Sequence, residues 1–386
     1  MVATVHTERV GTTEMGVLLV GPIPPPYSGP EVVTQNFMRL GRDYGITYFH
    51  VSTSNRSNAS KGALGAANVL RAAGQVIRFT YVALKKRHCA QIAHIPLAQN
   101  TSGVLRDIVL MAIALLLRYK VVVHFHGGQF DKFLSQCRFS WIVRLVLGRI
   151  DRLIVLGDRI VPQFGFMFPD KILVIPNTVS PEWIDQFAGL ERHCSQPLKI
   201  LFVGHLSVAK GFLDLIQALV LIKEICNFEL YCAGEVIVSE RNIAVPGIDL
   251  NDGFFRADRL IETGQIRSQV HFCGTVIGER KRELFAECDV LCLPSYSEGM
   301  PMVILEAMFA GMAVVASRVG AVINMVDESV LVDPGDVEAL SQIILNLAAE
   351  DITRLGEENR SRANSCYHYT QVMERMRQTY EALGVL

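Results

Sequence analysis

The sequence lacks any apolar run long enough to cross a bilayer. The longest run, residues 108–117, is bounded by Asp107 and Arg118, whereas a membrane-spanning helix needs about 20 apolar residues. The amino-terminal stretch also lacks the apolar segment of a secretory signal peptide. We therefore expect any contact with a membrane to be peripheral.

The nine cysteines lack the C-x-x-C spacing of a zinc or redox site. Cys288 and Cys292 lie within an apolar stretch, which favours core packing over metal ligation. Free, buried cysteines fit a reducing compartment. These features predict a cytoplasmic protein, and association with the cytoplasmic face of a membrane stays open.

Several ligand-binding motifs are missing as well. No G-x-G-x-x-G follows a predicted strand, which argues against a nicotinamide dinucleotide. No D-x-D pair of carboxylates is present, so we expect neither a metal ion nor a cofactor. The basic residues are not interleaved with aromatic ones, and nucleic acid is therefore not an expected partner.

Charge is unevenly distributed along the chain. Residues 1–186 carry 20 Lys and Arg against 11 Asp and Glu, whereas residues 187–386 carry 17 against 27. A basic first half predicts a face that meets anions, either lipid headgroups or a phosphate-bearing substrate. Residues 85–88, KKRH, form the candidate membrane-surface patch, with a solvated helix end as the alternative.

At 386 residues, half of them apolar, the chain is long enough for two domains. Short apolar strands alternate with helical segments from residue 16 onward, which is typical of α/β units with parallel sheets. One such helix is expected at residues 106–118, and Asp336 is a candidate N-cap of a later one. Polar residues 191–196, closed by Pro197, predict a linker between the two domains.

The most informative stretch is residues 294–317, PSYSEGMPMVILEAMFAGMAVVAS. Pro301 suits the first turn of a helix, and Gly311 suits the position just past its end. The helix between them would be apolar all round, and hence buried, except for Glu306. Because a buried charge needs a partner and no Lys or Arg lies within one turn, that partner is distant in sequence or is a ligand hydroxyl. Glu298 precedes the helix, where backbone N–H groups converge and the helix dipole favours an anion.

Glu298 and Glu306 stand in the pattern E-G-x-P-x-x-x-x-E-A-M, which resembles the E-x7-E motif of retaining glycosyltransferases of family 4. The resemblance implies the α/β fold called GT-B. It has two Rossmann-like domains whose parallel sheets face each other across a cleft, and a C-terminal helix that crosses back to the first domain. The expected limits are 1–190 plus about 366–386 for an acceptor-binding domain, and 191–365 for a nucleotide-sugar-binding domain. A helix whose Glu is tied to a core Arg is the alternative.

The resemblance also assigns roles around the two acidic residues. Glu298 would contact the donor sugar, and Glu306 would hold the ribose. The residues after Glu298 would contact the sugar and the diphosphate: Gly299, Met300, Pro301, Met302 and Val303. Their backbone N–H groups could stabilise the negative charge that develops as the nucleoside diphosphate departs.

Other loops of the second domain carry parts of the same pattern. Residues 204–211, GHLSVAKG, resemble the diphosphate-binding loop of the family, in which Lys210 matches and His205 replaces an Arg. Further donor contacts are implied at strand ends, at Gly204, Glu235, Gly274 and Val276. Because the nucleobase is contacted through backbone groups, these residues leave its identity open.

The first domain would contribute two loops. His126, before two glycines, resembles the H-G pair that lies near the donor sugar. A zinc pair with His124, or a buried core histidine, is the alternative.

Ser28 and Gly29 belong to the loop after the first strand, where the family often has a Gly-Gly pair. An ordinary βα loop is the alternative. In the turn at residues 171–179, Asn177 is expected to bond its own backbone.

Together these residues predict an enzyme. It would transfer a hexose, with retention and without a metal, from a nucleotide-diphosphate sugar to a hydroxyl of a lipid-linked or polysaccharide-precursor acceptor. His126, Glu298 and Lys210 are the candidate catalytic residues. A UDP-sugar is the expected donor, with GDP-mannose as the alternative. Two other functions stay open: a non-catalytic nucleotide-sugar-binding scaffold, and another GT-B enzyme such as a sugar-nucleotide epimerase or a phosphorylase.

Overall fold

Two parallel sheets form the framework of the protein. The computed structural model describes residues 14–54, 66–236, 253–347 and 349–384. The first sheet has six strands in the order β2-β1-β3-β4-β5-β6. They are β1 (Met15–Gly21), β2 (Ile46–Ser52), β3 (Ile92–Leu97), β4 (Lys120–Phe125), β5 (Arg152–Val155) and β6 (Ile172–Val174). Its helices are α1 (Gly29–Leu40), α2 (Ala66–Lys86), α3 (Thr101–Leu116), α4 (Phe130–Gln136), α5 (Ser140–Leu147) and α6 (Pro181–Gln186).

The second sheet repeats this plan with the order β12-β11-β10-β7-β8-β9. Its strands are β7 (Leu198–Val203), β8 (Phe228–Ala233), β9 (Val270–Gly274), β10 (Val290–Leu293), β11 (Ala313–Ser317) and β12 (Leu331–Val332). The helices that follow are α7 (Phe212–Ile222), α8 (Gly253–Thr263), α9 (Gly278–Glu287), α10 (Met302–Phe309), α11 (Val337–Asn346), α12 (Ala349–Cys366) and α13 (Tyr369–Glu381). The domain limits at residues 190 and 365 stay predictions.

The central strands are apolar on both faces because helices cover both faces of each sheet. In β4 the side chains of Val121, Val122 and Val123 have no exposed surface, and Val314 and Val315 in β11 have none either. All strand pairs of the two sheets run parallel, as the alternation of strands and helices predicts.

Helix α10 forms where the sequence predicts it, with one difference at its start. Pro301 is the N-cap, with extended backbone at φ −70° and ψ 124°, and the first helical turn begins at Met302. The sequence placed Pro301 in the first turn, one position too far into the helix. The fixed φ of proline suits both the N-cap and the first helical position, so the sequence could not separate them. Gly311 has a φ of +71°, the left-handed conformation expected just past the helix end.

Helix α3 begins five residues before the predicted start at Arg106. The Asn100 side chain accepts a hydrogen bond from the Gly103 backbone N–H and so caps the helix earlier. The polar residues of this first turn carry no apolar periodicity, which is why the pattern placed the start too late. At α11 the predicted cap is confirmed, since the Asp336 side chain accepts from the Ala339 N–H.

The C-terminal helix α13 crosses back onto the first sheet. The ring of Tyr380, in its last turn, is fully buried there and packs edge-on against Tyr48 of β2. The preceding turn is tied down as well, because the Tyr367 carbonyl accepts from the Thr178 hydroxyl at 2.7 Å. The two domains are therefore joined at both ends of the second one.

The linker into the second domain is held by Arg192. Its guanidinium donates to the carbonyls that end two helices, those of Phe285, Cys288 and Ala310. Arg360 also donates to the Ala310 carbonyl, at 3.1 Å. Positive charge at helix carboxyl ends is favourable, although burial and the neighbouring Arg360 lower the pKa of Arg192 to about 10.

Replacing Arg192 by Met should lower the free energy of unfolding by about 3 kcal/mol, because the variant loses charge-assisted bonds at the ends of α9 and α10. Urea denaturation followed by circular dichroism measures the change. Arg354→Met is the matched control, since Arg354 pairs with Glu358 on an exposed helix surface, where an ion pair contributes little. An equal loss in both variants would contradict the role given to Arg192.

Candidate active site

The carboxyl end of β4 meets the loop before α10 at the interface of the two domains. A Cβ on Gly128 would lie 1.9 Å from the Glu298 carbonyl oxygen, and one on Gly299 would lie 2.1 Å from the His126 carbonyl oxygen. Only glycine permits this approach of one backbone to another. The predicted residues His126 and Glu298, from different domains, are thus brought to one place.

Lys210 and Glu298 form an ion pair in this cleft. The Lys210 Nζ atom lies 2.6 Å from Glu298 Oε1, and the carboxylate side chain is only 10% exposed. The loop that carries Lys210 is fixed next to the loop of Glu298, because the Tyr296 N–H donates to the Ala209 carbonyl at 2.9 Å. These two predicted donor-binding residues are therefore direct neighbours.

Glu306 forms a second ion pair, with Lys281 of α9 at 2.6 Å. Its carboxylate side chain is 9% exposed, and its second oxygen, Oε2, is buried without a hydrogen-bond partner among the described residues. The Lys281 ammonium lies 5.3 Å from the ring centre of Trp183 and 5.7 Å from that of Phe285. This cation is held between a carboxylate and two aromatic faces.

The prediction that the partner of Glu306 is distant in sequence is confirmed by Lys281, which stands 25 residues earlier. The core cation is a lysine rather than the arginine of the alternative interpretation. Sequence reasoning missed Lys281, although a signal exists. Lys281, Leu284 and Phe285 share one face of α9 by their spacing, so this lysine points to the same side as two fully buried residues.

Two side chains of the first domain hold the start and the body of α10. The Asn177 Nδ2 group donates to the Met300 carbonyl at 3.2 Å, and the Trp183 indole N–H donates to the Glu306 carbonyl at 3.0 Å. The prediction that Asn177 bonds its own backbone was wrong. Its amide crosses to the second domain instead, because the Met300 carbonyl lies within reach and is otherwise buried.

The other predicted residues of the first domain lie beside α10. The Ser28 hydroxyl donates to the Glu31 carboxylate. A Cβ on Gly29 would lie 3.7 Å from the Met302 side chain, so this loop approaches the helix start. Met300 and Met302 are buried, whereas Val303 is partly buried.

The remaining predicted positions follow strand ends of the second sheet. Gly204 and Gly234 touch, since a Cβ on Gly234 would lie 1.8 Å from the Gly204 carbonyl oxygen. The Gly234 N–H donates to the Gly274 carbonyl at 2.8 Å, and the Thr275 hydroxyl donates to the Glu235 carboxylate at 3.3 Å. His205, Glu235 and Gly274 are exposed and Val276 is partly buried. All of them border the carboxyl edge of the sheet, where parallel α/β sheets bind ligands.

Burial makes the histidine of the cleft a neutral group. It lowers the pKa of His126 to about 4, so the imidazole is uncharged at neutral pH and can donate or accept a hydrogen bond.

Asp214, on α7, was not singled out in the sequence. Burial raises its pKa to about 6, opposed by its hydrogen bond to the Tyr296 hydroxyl. That bond ties α7 to the loop before Glu298.

Neither metal ligation nor the cavity described next indicates a second site in the described part of the chain. In the part of the chain that the structure describes, no three His, Cys, Asp or Glu side chains are grouped so that they could hold a metal ion. A cavity of about 340 Å³ lies at the amino ends of β1 and β3, near Met15, Thr47 and His88. Ligands of parallel sheets bind at the opposite edge. The cleft with its two ion pairs is therefore the candidate site.

Residues 197–350 match the family described as Glycosyl transferases group 1. An uncharacterised glycosyltransferase of Methanocaldococcus jannaschii is 32% identical over 170 residues, which cover 42% of this chain and 40% of that protein. An MMP alpha-(1->4)-mannosyltransferase of Mycolicibacterium hassiacum is 32% identical over 130 residues, 32% of each chain. The chain thus aligns with less than half of the length of these relatives.

Solved structures resemble the whole chain. Sucrose-phosphate synthase of Thermosynechococcus elongatus superposes with a TM-score of 0.69 at 17% identity, covering 96% of this chain and 99% of that one. HepE of Anabaena, solved with UDP and glucose, superposes with a TM-score of 0.68 at 18% identity. The match covers 95% of this chain and 99% of that one. The fold is therefore GT-B, with two Rossmann-like domains, as the sequence predicts.

The contact between the two glycine loops can be tested by Gly128→Ala. The new methyl group would lie 1.9 Å from the Glu298 carbonyl, and relieving this overlap should lower the free energy of unfolding by about 1–3 kcal/mol. Gly74→Ala, at a helical position with no atom within 4 Å, should instead stabilise the protein slightly. Urea titrations measure both, and a Gly128→Ala protein as stable as the wild type would mean that the loops do not touch in solution.

Proposed function

We propose that this chain is a glycosyltransferase that moves a hexose, with retention, from a nucleotide-diphosphate sugar to the hydroxyl of a glycan or lipid-linked acceptor. One observation carries the proposal: the second carboxylate oxygen of Glu306 is buried beside the cleft and has no hydrogen-bond partner among the described residues. A buried acceptor atom that lacks a donor in the free protein is a natural partner for a ligand hydroxyl.

The donor would lie along the second domain. Glu306 Oε2 would accept from a ribose hydroxyl, while Lys281 keeps the other oxygen neutralised. Lys210 would turn from Glu298 to the diphosphate, leaving Glu298 to accept from hydroxyls of the sugar. The start of α10 points backbone N–H groups toward the same place, where the helix dipole favours phosphate.

In the reaction, the bond between the anomeric carbon and the β-phosphate oxygen breaks, and the electron pair leaves with the nucleoside diphosphate. Lys210 and the N–H groups after Glu298 would stabilise this developing charge. The acceptor hydroxyl forms the new bond on the same face of the sugar and gives its proton to the departing phosphate. Neutral His126 is suited to bind a sugar hydroxyl from the facing domain.

The donor identity rests on two relatives and stays part of the proposal. HepE was solved with UDP and glucose, and the related protein of Mycolicibacterium hassiacum is named a mannosyltransferase. We expect a UDP-hexose, with GDP-mannose as the second candidate. No metal is invoked, because the site offers Lys210 and helix N–H groups to the diphosphate.

The acceptor would be presented at an anionic membrane surface, and helix α2 supports this. Its core-facing side buries Phe79 and Ala83 completely. The opposite side carries large apolar residues that are more than half exposed: Leu70, Ile77, Tyr81 and Leu84. Arg71, Arg78 and Lys85 recur every seven residues along one flank, and the helix contains no acidic residue. An exposed apolar stripe beside a basic one is typical of helices that lie in a membrane interface.

The nearby helices α3 and α5 also expose large apolar side chains. Helix α3 exposes 82% of Leu116, and α5 exposes 64% of Trp141 and 49% of Leu145. Tryptophan favours the headgroup region, where its ring is half apolar and half polar. No helix among the described residues is long and apolar enough to cross a membrane. The proposed contact is therefore peripheral.

A panel of UDP-, GDP- and ADP-sugars tests the donor site. One donor should raise the thermal unfolding midpoint and release nucleoside diphosphate. Lys210→Ala should lower kcat about 100-fold or more, because it removes charge stabilisation of the leaving group.

Glu306→Gln should mainly raise the KM of the donor, because its contact is to the ribose in both the ground and transition states.

Lys120→Ala is the matched control for Lys210→Ala. Lys120 also pairs with a carboxylate, that of Asp151, but at the amino end of β4. It should keep wild-type kinetics. Full activity in Lys210→Ala would refute the site, and donor binding without transfer to any acceptor would favour the non-catalytic scaffold.

The membrane face is tested by co-sedimentation with vesicles. Binding should be stronger to anionic than to zwitterionic vesicles and should weaken with salt. Leu70→Ser with Ile77→Ser should reduce partitioning more than tenfold, since each buried apolar side chain contributes about 1.5–3 kcal/mol. Emission of Trp141 should shift to shorter wavelength on binding.

Ile225→Ser is the control for this surface. Ile225 is 72% exposed, like Leu70, but lies after α7 in the second domain. It should bind vesicles as the wild type does. Equal binding to neutral and anionic vesicles, or equal loss in the control, would exclude α2 as the contact.

A further inference from the structure

Three histidines line one face of the first sheet and end at the cleft. His94 lies on β3, His124 lies on β4, and His126 follows β4 at the same parity, so all three point to one side. The register places His124 opposite Pro96, two residues beyond His94, so the two rings are diagonal neighbours with centres 5.3 Å apart. The row therefore leads from the middle of the sheet to its carboxyl edge.

The row continues into the C-terminal helix through hydrogen bonds. The Tyr380 hydroxyl lies 2.6 Å from His94 Nδ1, and His94 Nε2 lies 3.2 Å from His124 Nδ1. The ring of His126 then stacks on that of His124, with centres 4.1 Å apart and an angle of 28°. Phe37 of α1 packs against the rings of His94 and His124.

Burial keeps the two inner histidines neutral. His94 is 2% exposed and His124 has no exposed surface. Burial lowers the pKa of His94 to about 3 and that of His124 well below its usual value. A neutral imidazole has one N–H donor and one bare nitrogen acceptor.

The direction of the hydrogen bond between Tyr380 and His94 then couples the tautomers of both rings, because the hydroxyl can donate or accept. If it donates to His94 Nδ1, the proton of His94 is on Nε2, and the proton of His124 must be on its own Nε2. If the hydroxyl accepts instead, both protons move to Nδ1 and His124 Nε2 becomes a bare acceptor. His124 Nε2 has no partner among the described residues, so only the Tyr380 end of the row selects one arrangement.

We infer that Tyr380 and His94 are positioning residues for His126, and that they act by fixing the tautomer and orientation of the His124 ring on which His126 stacks. The inference rests on the proposed function in one respect, that His126 meets the donor sugar. It adds a role for α13: the helix that joins the domains also orders the first-domain wall of the cleft.

His126 needs such support because its ring stacks on that of His124 and has no hydrogen bond among the described residues. The facing backbone of Gly299 packs against its carbonyl rather than its imidazole. A half-turn about the Cβ–Cγ bond keeps the His126 ring stacked but exchanges the positions of its nitrogens and carbons, so the polarity of the His124 ring beneath it decides where the N–H points. Small displacements of a positioned group are costly in catalysis.

Tyr380→Phe tests the inference, because it removes the hydroxyl and keeps the buried ring. We expect kcat to fall on the order of tenfold. The KM of the donor should stay near the wild-type value, because Lys210 and Glu306 belong to the second domain. Tyr48→Phe is the matched control, since it also deletes a buried tyrosine hydroxyl, 3.5 Å from that of Tyr380 and one step removed from the row.

Histidine 15N chemical shifts supply a readout that does not need activity. In protein labelled with 15N-histidine, Tyr380→Phe should move the His124 and His126 signals between tautomeric positions, whereas Tyr48→Phe should leave them in place. Variants His124→Gln and His126→Gln assign the signals. Shifts that move as expected in a protein without transferase activity would support the row and count against the proposed function alone.

Two results would overturn the inference. Unchanged histidine shifts and unchanged kcat in Tyr380→Phe, with a normal thermal transition, would mean that the hydroxyl only fills space. Equal losses in Tyr380→Phe and Tyr48→Phe, with kcat and donor KM affected alike, would mean that both act through general packing of α13.

Discussion

The ion pair between Lys281 and Glu306 is the interaction on which the site depends. Helix α10 is apolar on all sides and buried, and its single carboxylate is tolerated only because a cation from α9 reaches it. That cation rests on Trp183, a residue of the first domain whose indole also bonds the Glu306 carbonyl. The Lys281–Glu306 pair therefore brings together α9, α10 and the facing domain, and the second oxygen of Glu306 has no hydrogen-bond partner among the described residues.

Beside the Trp183 contact, the two domains also approach each other through their backbones. Gly128 and Gly299 allow the loops of β4 and α10 to approach within contact distance. Asn177 adds a hydrogen bond to the Met300 carbonyl. At the far end, α13 returns to bury Tyr380 in the first sheet. Lys210 and Glu298, on neighbouring loops of the second domain, pair with each other at this contact between the domains.

The first domain serves two different surfaces. Its inner face carries a row of neutral histidines that ends at the cleft, where burial excludes charge. Its outer face carries the apolar and basic stripes of α2. Exposure of these apolar side chains to water is unfavourable, and contact with a membrane surface would remove it. A donor held by the acidic half and an acceptor approached by the basic half would meet at the edge where both sheets end.

The sequence by itself determined the fold class, the position of α10, the cap at Asp336 and the left-handed Gly311, because strand alternation, helix period and turn chemistry are local properties. It also predicted that Glu306 has a distant partner, and it selected Lys210, Glu298 and His126. Only the tertiary structure decided that Lys281 is that partner, that Asn177 bonds the other domain and that Tyr380 meets His94. These contacts join positions 25, 123 and 286 residues apart. Local spacing can indicate that a side chain such as Lys281 faces the core, but which side chain it meets over such separations depends on how helices and sheets pack.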